Sequence, residues 1–514
     1  MLGDWLDSAV SVFSPAWAAR RAFARSVYRK ASKRAYEAAR VDRTTSAWTT
    51  LNQSADRAMY GEADRVRQRA RDLIRNNAYA RGALDAIVAN VVGQGIKPRP
   101  ATEEETRNDA IMQAWNRWCE VADVTGRLHF YEIQALAMRE MVEAGECLVH
   151  YTEDKSDPIR VSPLALEMIE ADRISSDSDT FSLSKRGTAT NEVRRGVELD
   201  TVGRAIAYWL YPSHPDGTGY SFATAKPMPA RELLHVYRQE RIGQTRGVSW
   251  LAPAVIWLRD LGMYVDNELQ ASAVAACFSV VVKTVDSGAS FGTLVTPEGE
   301  ESTDSRGDRF ERLQPGLVSH LMPNESIEMI NPTRPNATAD QWIALILRSI
   351  AVAMGVSYEL VSRDYSRTNY SSNRASALED RRRFMPVQNY LVWHVCQPVY
   401  REFFKSCVLA GVKGFPTPTE FISDPDYWLN VTWRTPGWEW TDPQKEASAA
   451  KMEVECGFRS RGDVIEGAGG DLREVFKELA AEKKLAEEMG LDFSPEVTIA
   501  QQTADQEGEA VAAE

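Results

Sequence analysis

The chain has few of the residues from which catalytic and metal centres are built. It holds 6 histidines and 6 cysteines in 514 residues. The cysteines (Cys119, Cys147, Cys277, Cys396, Cys407 and Cys456) show no C-x-x-C spacing and none lies beside a histidine pair. His394 and Cys396 are two apart on a predicted helix, so they point to different faces. This pattern suits structural thiols in a reducing compartment and offers no zinc set. There is no G-x-x-x-x-G-K-[ST], which excludes a P-loop ATPase, and no H-E-x-x-H or G-x-S-x-G. Carboxylates are plentiful, but none is spaced as a catalytic pair. No catalytic residue, metal or cofactor is therefore assigned.

Long apolar runs are missing as well. The longest, Ala271 to Val282, is too short to span a bilayer and is interrupted by Ser272 and Ser279. Asp4 and Asp7 precede the first basic residue, Arg20, which is the wrong order for a secretory signal. The expectation is a soluble protein, cytoplasmic when made, with no membrane partner. Positive charge is in deficit: 60 Lys and Arg against 73 Asp and Glu give a net −13. A protein that wraps nucleic acid over a broad surface is disfavoured, while contact at a few places is allowed. With 44% hydrophobic and 26% charged residues the composition is globular. The length predicts roughly two to four substructures.

The basic residues present are clustered. From Arg20 to Arg43, nine Lys and Arg face only Glu37 and Asp42. Residues 363–383 read RDYSRTNYSSNRASALEDRRR, with six arginines against Asp364, Glu379 and Asp380. The first half is rich in Ser and Asn and predicts a loop; the second half has helix-forming composition. A basic loop hinged on a helix suits contact with a polyanion, and a merely solvated loop is the plainer alternative. Tyr370 among arginines also leaves open a DNA-processing enzyme of recombinase or nuclease type, although no His/Arg partners are arranged for it.

Around this stretch the patterning predicts an α+β protein, predominantly helical and without βαβ rhythm. Helical periodicity predicts one long helix over 64–92, then helices at 103–120 and 130–144. Alternating segments at 146–151, 161–169, 196–200, 204–211 and 232–238 predict strands. Residues 339–354 predict a helix apolar almost all round, which must be covered on most sides. The segment 375–410 predicts a helix kinked at Pro386 and Pro398. Asp442 before Pro443, and Asp471, mark later helix starts.

Four pieces in this order resemble the lambda-type portal proteins of tailed bacteriophages. They are RARDLIRNNAYARGALDAIVANVVGQGIKP at 69–98, HVYRQERIGQTRGVSWLAPAV at 235–255, the run from Trp342 to Arg383 containing NYSS-x-RA, and WEWTDPQKEASA at 438–449. The resemblance covers nearly the whole chain. It implies a portal fold with wing, stem, clip and crown, and a ring, usually of twelve subunits, at one capsid vertex. Double-stranded DNA would pass through its centre without sequence specificity. Implied partners are the terminase large subunit, major capsid or scaffold proteins, and head-completion or tail adaptor proteins. The implied location is the virion, reached from the host cytoplasm.

Mapped onto the chain, the resemblance implies a basic arm at 1–60 and a wing body at 61–246. A stem helix falls at 247–282, a clip at 283–338 and a second stem helix at 339–356. A tunnel loop follows at 357–374, a long kinked wing helix at 375–412, the wing end and crown at 413–490, and a disordered acidic tail at 491–514. In the tunnel loop Arg363, Tyr365, Arg367, Asn369, Tyr370 and Arg374 would face the duplex. Trp342, Ile346, Arg348 and Ile350 would pack the stem. Arg381, Arg382 and Arg383 would pair with acids between subunits.

Overall fold

The computed structural model describes residues 50–155, 160–175, 191–216, 224–277, 338–366, 368–438 and 442–491, with backbone alone at 274–277, 281–284 and 325–328 and a few isolated positions before residue 50. The chain divides into two units, Met1–Ala58 and Met59–Glu514. Only the second is considered further. Most of the arm, the clip and the acidic tail lie outside the described residues.

After residue 59 come two helices, α1 (Ala63–Asn76) and α2 (Ala78–Val91), where the periodicity predicts one. The break is Asn77. Its backbone is extended, and its side chain accepts from the amides of Tyr79 and Ala80, capping α2. The same side chain donates to the Leu258 carbonyl at 3.2 Å, so the break also carries a tertiary contact. Next come β1 (Lys97–Pro100), α3 (Glu105–Cys119) and α4 (Phe130–Glu143). Trp115 and Trp118 on α3 are fully buried against Phe130 and Phe403, with ring centroids 5.1–5.4 Å apart. The Trp118 indole donates to the Leu164 carbonyl at 2.8 Å, so its one polar atom is satisfied inside the core.

The strands form antiparallel sheets. β2 (Glu146–Glu153) lies between β3 (Leu164–Glu170) and β8 (Leu233–Tyr237). Its outer neighbours are fixed in register by Cys147 opposite both Glu170 and Val236. A second sheet runs β4 (Glu192–Arg194), β5 (Val197–Leu199), β6 (Ala205–Leu210) and β7 (Lys226–Pro229). β2, β3, β5, β6 and β8 fall on the predicted strands, whereas β4 and β7 were not foreseen. Also not foreseen is the pairing of β1 with a late strand, Val431–Arg434, with Lys97 opposite Arg434. β1 reads Lys-Pro-Arg-Pro, and prolines are tolerated only at an edge, so its sequence carries no strand signal.

Two long helices follow. α5 (Val255–Cys277) packs against α6 (Ala339–Met354). α6 ends at Gly355 in the left-handed conformation, φ 68°. A short α7 (Tyr358–Ser362) leads to residues 363–369, and α8 (Tyr370–Leu391) begins at Tyr370 rather than the predicted 375. The sequence hid this start because Asn369 forms a capping box with Ser372, a weaker signature than Glu or Gln at that position. α8 runs through Pro386 into a π turn at Val392–Cys396, then α9 (Gln397–Ala410). The two prolines are thus absorbed differently: Pro386 lies within α8, and Pro398 falls in the first turn after the π turn, where its missing amide is harmless. The chain closes with α10 (Pro443–Glu455), α11 (Arg461–Gly467) and α12 (Leu472–Met489), capped by Asp442, Ser460 and Asp471. Among the described residues no helix is long and apolar enough to cross a membrane.

Candidate functional site

The irregular part of the basic stretch is short, residues 363–369. Arg363 caps α7 with φ 56°, a conformation a non-glycine residue rarely adopts. Asp364 ties the next turn: its Oδ1 accepts from the Ser366 amide at 3.0 Å and the Ser366 hydroxyl at 2.6 Å. The loop is therefore pre-shaped at its first half by a side-chain turn. Arg363, Tyr365, Asn369 and Tyr370 are exposed. Arg367 lies outside the described residues.

The helix start at 370 divides the predicted site. Arg363 and Tyr365 are on the loop, and Asn369 is the N-cap, whose side chain is committed to the Ser372 amide at 2.8 Å. Tyr370 and Arg374 sit in the first turns of α8. Arg374 pairs with Glu446 of α10 at 3.5 Å, and Lys445 lies over the Tyr370 ring at 5.5 Å. Both residues thus join α8 to the C-terminal helices.

The three arginines further along α8 have separate surroundings. Arg381 lies over Trp438 at 5.9 Å, and Arg382 pairs with Glu379 at 3.6 Å in the open. Arg383 donates to the Met354 carbonyl at 3.2 Å. Its guanidinium fills the place a Cβ at Gly355 would take, so the Gly355 turn and Arg383 are fitted to each other. Burial, together with the nearby Arg238, pulls the Arg383 guanidinium below its usual range.

On the paired helices the expectation of an all-round apolar α6 resolves into two faces. Ile346 and Ile350 are buried in the core. Trp342, Leu345 and Val352 are exposed, Trp342 at 51% and Val352 at 80%. Arg348 is exposed and lies over Tyr358 at 5.3 Å. The exposed positions fall at i, i+3 and i+10, one stripe of the helix. α5 carries its own exposed apolar residues, Ile256, Trp257, Met263 and Leu269. A hollow of about 560 Å³ lies along this face, lined by Tyr264, Trp342, Leu345 and Arg348.

Sequence reasoning missed an ionic centre built around Glu146. Glu146 is fully buried at the start of β2. Its Oε1 accepts from Arg246 Nε at 2.8 Å and Arg67 Nη2 at 3.1 Å. Its Oε2 accepts from the Gly247 amide at 2.7 Å and lies 2.9 Å from His235 Nε2. Burial alone would push this carboxyl up; Arg246 and His235 hold it well below the usual range. Burial keeps His235 below its usual value, so the ring is neutral and donates. His235 and Arg246 both belong to the quoted 235–255 motif, so the signal was in the sequence without a visible role.

Beside this centre, Glu140 is pushed up to about 7 by burial, opposed by Arg71 at 3.7 Å, a distance too long for a hydrogen bond. The native state therefore holds a proton on Glu140 that the unfolded chain releases near pH 4.5. Stability falls as pH rises from there to about 7. Glu140→Gln is expected to stabilise the wing by on the order of 1–3 kcal/mol at pH 8 and by little near pH 4.5, read from denaturant melts at both pH values. Equal effects at the two would contradict this. Glu170, Asp172 and His214 bring three possible ligand atoms within 4.8 Å. Asp172 is already held by Arg71 at 2.7 Å and Arg67 at 3.4 Å, and the group reads as part of the same ion-pair chain.

Known proteins match this organisation. The family described as phage portal protein, lambda family, matches residues 41–388. A probable portal protein of Halomonas phage phiHAP-1 is 26% identical, covering 89% of this chain and 88% of that relative. Portal protein B of Escherichia phage lambda is 25% identical over 85% of this chain and 86% of its own length. Among solved structures, a chain from the neck of an empty GTA particle aligns at 14% identity with a TM-score of 0.44, over 80% of this chain and 94% of that one. The family match runs from residue 41 through the basic loop into α8, well over half the sequence, and the chain belongs to the lambda family of phage portal proteins.

Proposed function

We propose that this portal protein closes into a ring of identical subunits whose central channel carries double-stranded DNA during packaging and ejection. The observation that carries the ring is an apolar face of the α5–α6 pair left uncovered among the described residues. A pair of helices that leaves Trp342, Leu345 and Val352 exposed beside Ile256, Trp257 and Met263 has an apolar surface that water disfavours. Adjacent copies would cover it. The loop at 363–369 would face the channel, with Arg363 and Arg367 touching phosphate. Such contacts carry no sequence information. Each one adds affinity and slows sliding, so a conduit is served by a mostly acidic wall with a narrow basic band. A net charge of −13 per subunit fits that demand.

The protein would act as a platform rather than an enzyme. Packaging energy would come from a partner terminase, with capsid or scaffold proteins and head-completion or tail adaptors as further partners. Its place would be the portal vertex of the virion, after assembly in the host cytoplasm. Arg363→Ala combined with Arg367→Ala is expected to leave assembly intact and to lower packaged or retained DNA about tenfold, given two phosphate contacts per subunit. Packaging assayed by nuclease-protected DNA in assembled heads checks this. Undiminished protection would make the loop a bystander.

A further inference from the structure

A cleft of about 800 Å³ opens where the end of α6, the β8 strand and α8 meet. Its walls are largely apolar, from Met141, Trp250, Val352, Val356 and Val387. Into it come three guanidinium groups, those of Arg238, Arg382 and Arg383. The acids on the same walls are spent or peripheral. Asp380 accepts from the Ser357 amide at 2.9 Å and the Ser357 hydroxyl at 2.6 Å. Glu379 is exposed and turned to Arg382. Arg238 lies over Trp250 at 5.4 Å, and Arg383 donates only to a backbone carbonyl. Among the described residues neither has a carboxylate within ion-pair distance. The Trp250 indole N–H, on the same wall, is buried without an acceptor. Two neighbouring cations and an idle donor beside apolar walls are an arrangement a single subunit does not satisfy.

We propose that this cleft receives a carboxylate-bearing segment of a second copy of the chain. The inference rests on the ring reading and names a lock within it. Two features choose a second copy over a free anion or the phosphate backbone. The rim includes Val352, which continues the exposed stripe of Trp342 and Leu345, so whatever covers the stem also reaches the cleft. The walls favour a side chain with an apolar stem over a hydrated phosphate. Each copy also carries an excess of acid to donate, 73 acidic against 60 basic residues. An entering carboxylate would pair with Arg238 and Arg383 through charge-assisted hydrogen bonds.

The test compares the full chain with Arg238→Glu/Arg383→Glu and, separately, Val352→Glu. Val352→Glu places a carboxylate at the rim of its own cleft and leaves both arginines in place. Subunit folding is checked by circular dichroism and melting, assembly by native mass spectrometry over a dilution series, and DNA binding by duplex titration. Both variants are expected to fold and to need at least about tenfold more protein for half-assembly, since like charges at a docking surface strongly disfavour it. If the wild-type chain forms no rings, the ring reading itself fails. If it forms rings and folded variants assemble as it does, the cleft proposal alone is overturned. Weaker duplex binding with unchanged assembly would also overturn it, by assigning the cleft to phosphate. If the arginine pair variant does not fold, the single variant Arg238→Glu decides, because Val352 also belongs to the stem stripe.

Discussion

Glu146→Gln is expected to destabilise the wing by about 3–5 kcal/mol, the cost of breaking a buried ion pair from one side. The carboxylate has no exposure, and its two oxygens take up Arg67, Arg246, His235 and the Gly247 amide. An amide of the same shape would leave the Arg246 guanidinium, 2.6 Å from the lost charge, without a counter-ion in the interior. Arg67 would keep Asp172 and Asp64, at 3.4 and 3.2 Å, so the loss falls mainly on Arg246. The effect is also geometric. Gly145 and Gly247 approach so closely that a Cβ on Gly247 would sit 2.1 Å from the Gly145 carbonyl oxygen. The carboxylate holds the Gly247 amide at that crossing. Because the native carboxyl is held low, its contribution is complete above the unfolded value near 4.5 and is lost as pH falls through the native one. Whole domains are stable by roughly 5–15 kcal/mol, so this single change removes a large share. Urea denaturation at pH 7 measures it, and a loss under about 1 kcal/mol would mean that the network is not the wing's ionic anchor.

Trp118→Ala is expected to cost about 3–5 kcal/mol, while Trp342→Ala leaves the subunit's stability nearly unchanged and weakens assembly instead. The two residues share a chemistry and differ in surroundings. Trp118 is enclosed by Trp115, Phe130 and Phe403 and satisfies the Leu164 carbonyl. Its truncation opens a cavity and orphans an acceptor, and it unties α3 from α9. Trp342 is half exposed on the stem stripe. Thermal melts of the dilute subunit separate the variants, and assembly titration reverses their order. A destabilised Trp342→Ala subunit would place that side chain in the subunit's own core.

The contrast shows where sequence reading reaches its limit. Apolar periodicity marked α6 as a helix with too many apolar sides, but one chain cannot say which side belongs to itself and which to a neighbour. Helix starts written in capping chemistry were legible: Asp442 with Pro443, and Asp471, both act as predicted. The break at Asn77 was not, since the apolar pattern continues across it. The pairing of Lys97–Pro100 with Val431–Arg434 joins prolines to a strand more than 300 residues away, and no local pattern encodes that. The basic stretch was visible as a cluster. Its partition was not, because Glu446, Trp438 and the Met354 carbonyl, brought in by the fold, decide what Arg374, Arg381 and Arg383 do.

The Glu146 centre illustrates the same point from the other direction. His235 and Arg246 stand out in the motif that carries the family resemblance, and Glu146 stands nearly 100 residues earlier at a strand start. Only the antiparallel pairing of β2 with β8 brings them together. In this chain the 235–255 segment therefore carries folding chemistry as well as the resemblance.

The central claim is the ring with a channel, and electron microscopy of the purified full chain tests it most directly. Closed rings with a central hole wide enough for duplex DNA are expected, with the Trp342, Leu345 and Val352 stripe buried between subunits. A stable monomer at assembly concentrations, with that stripe still open to solvent, would contradict it.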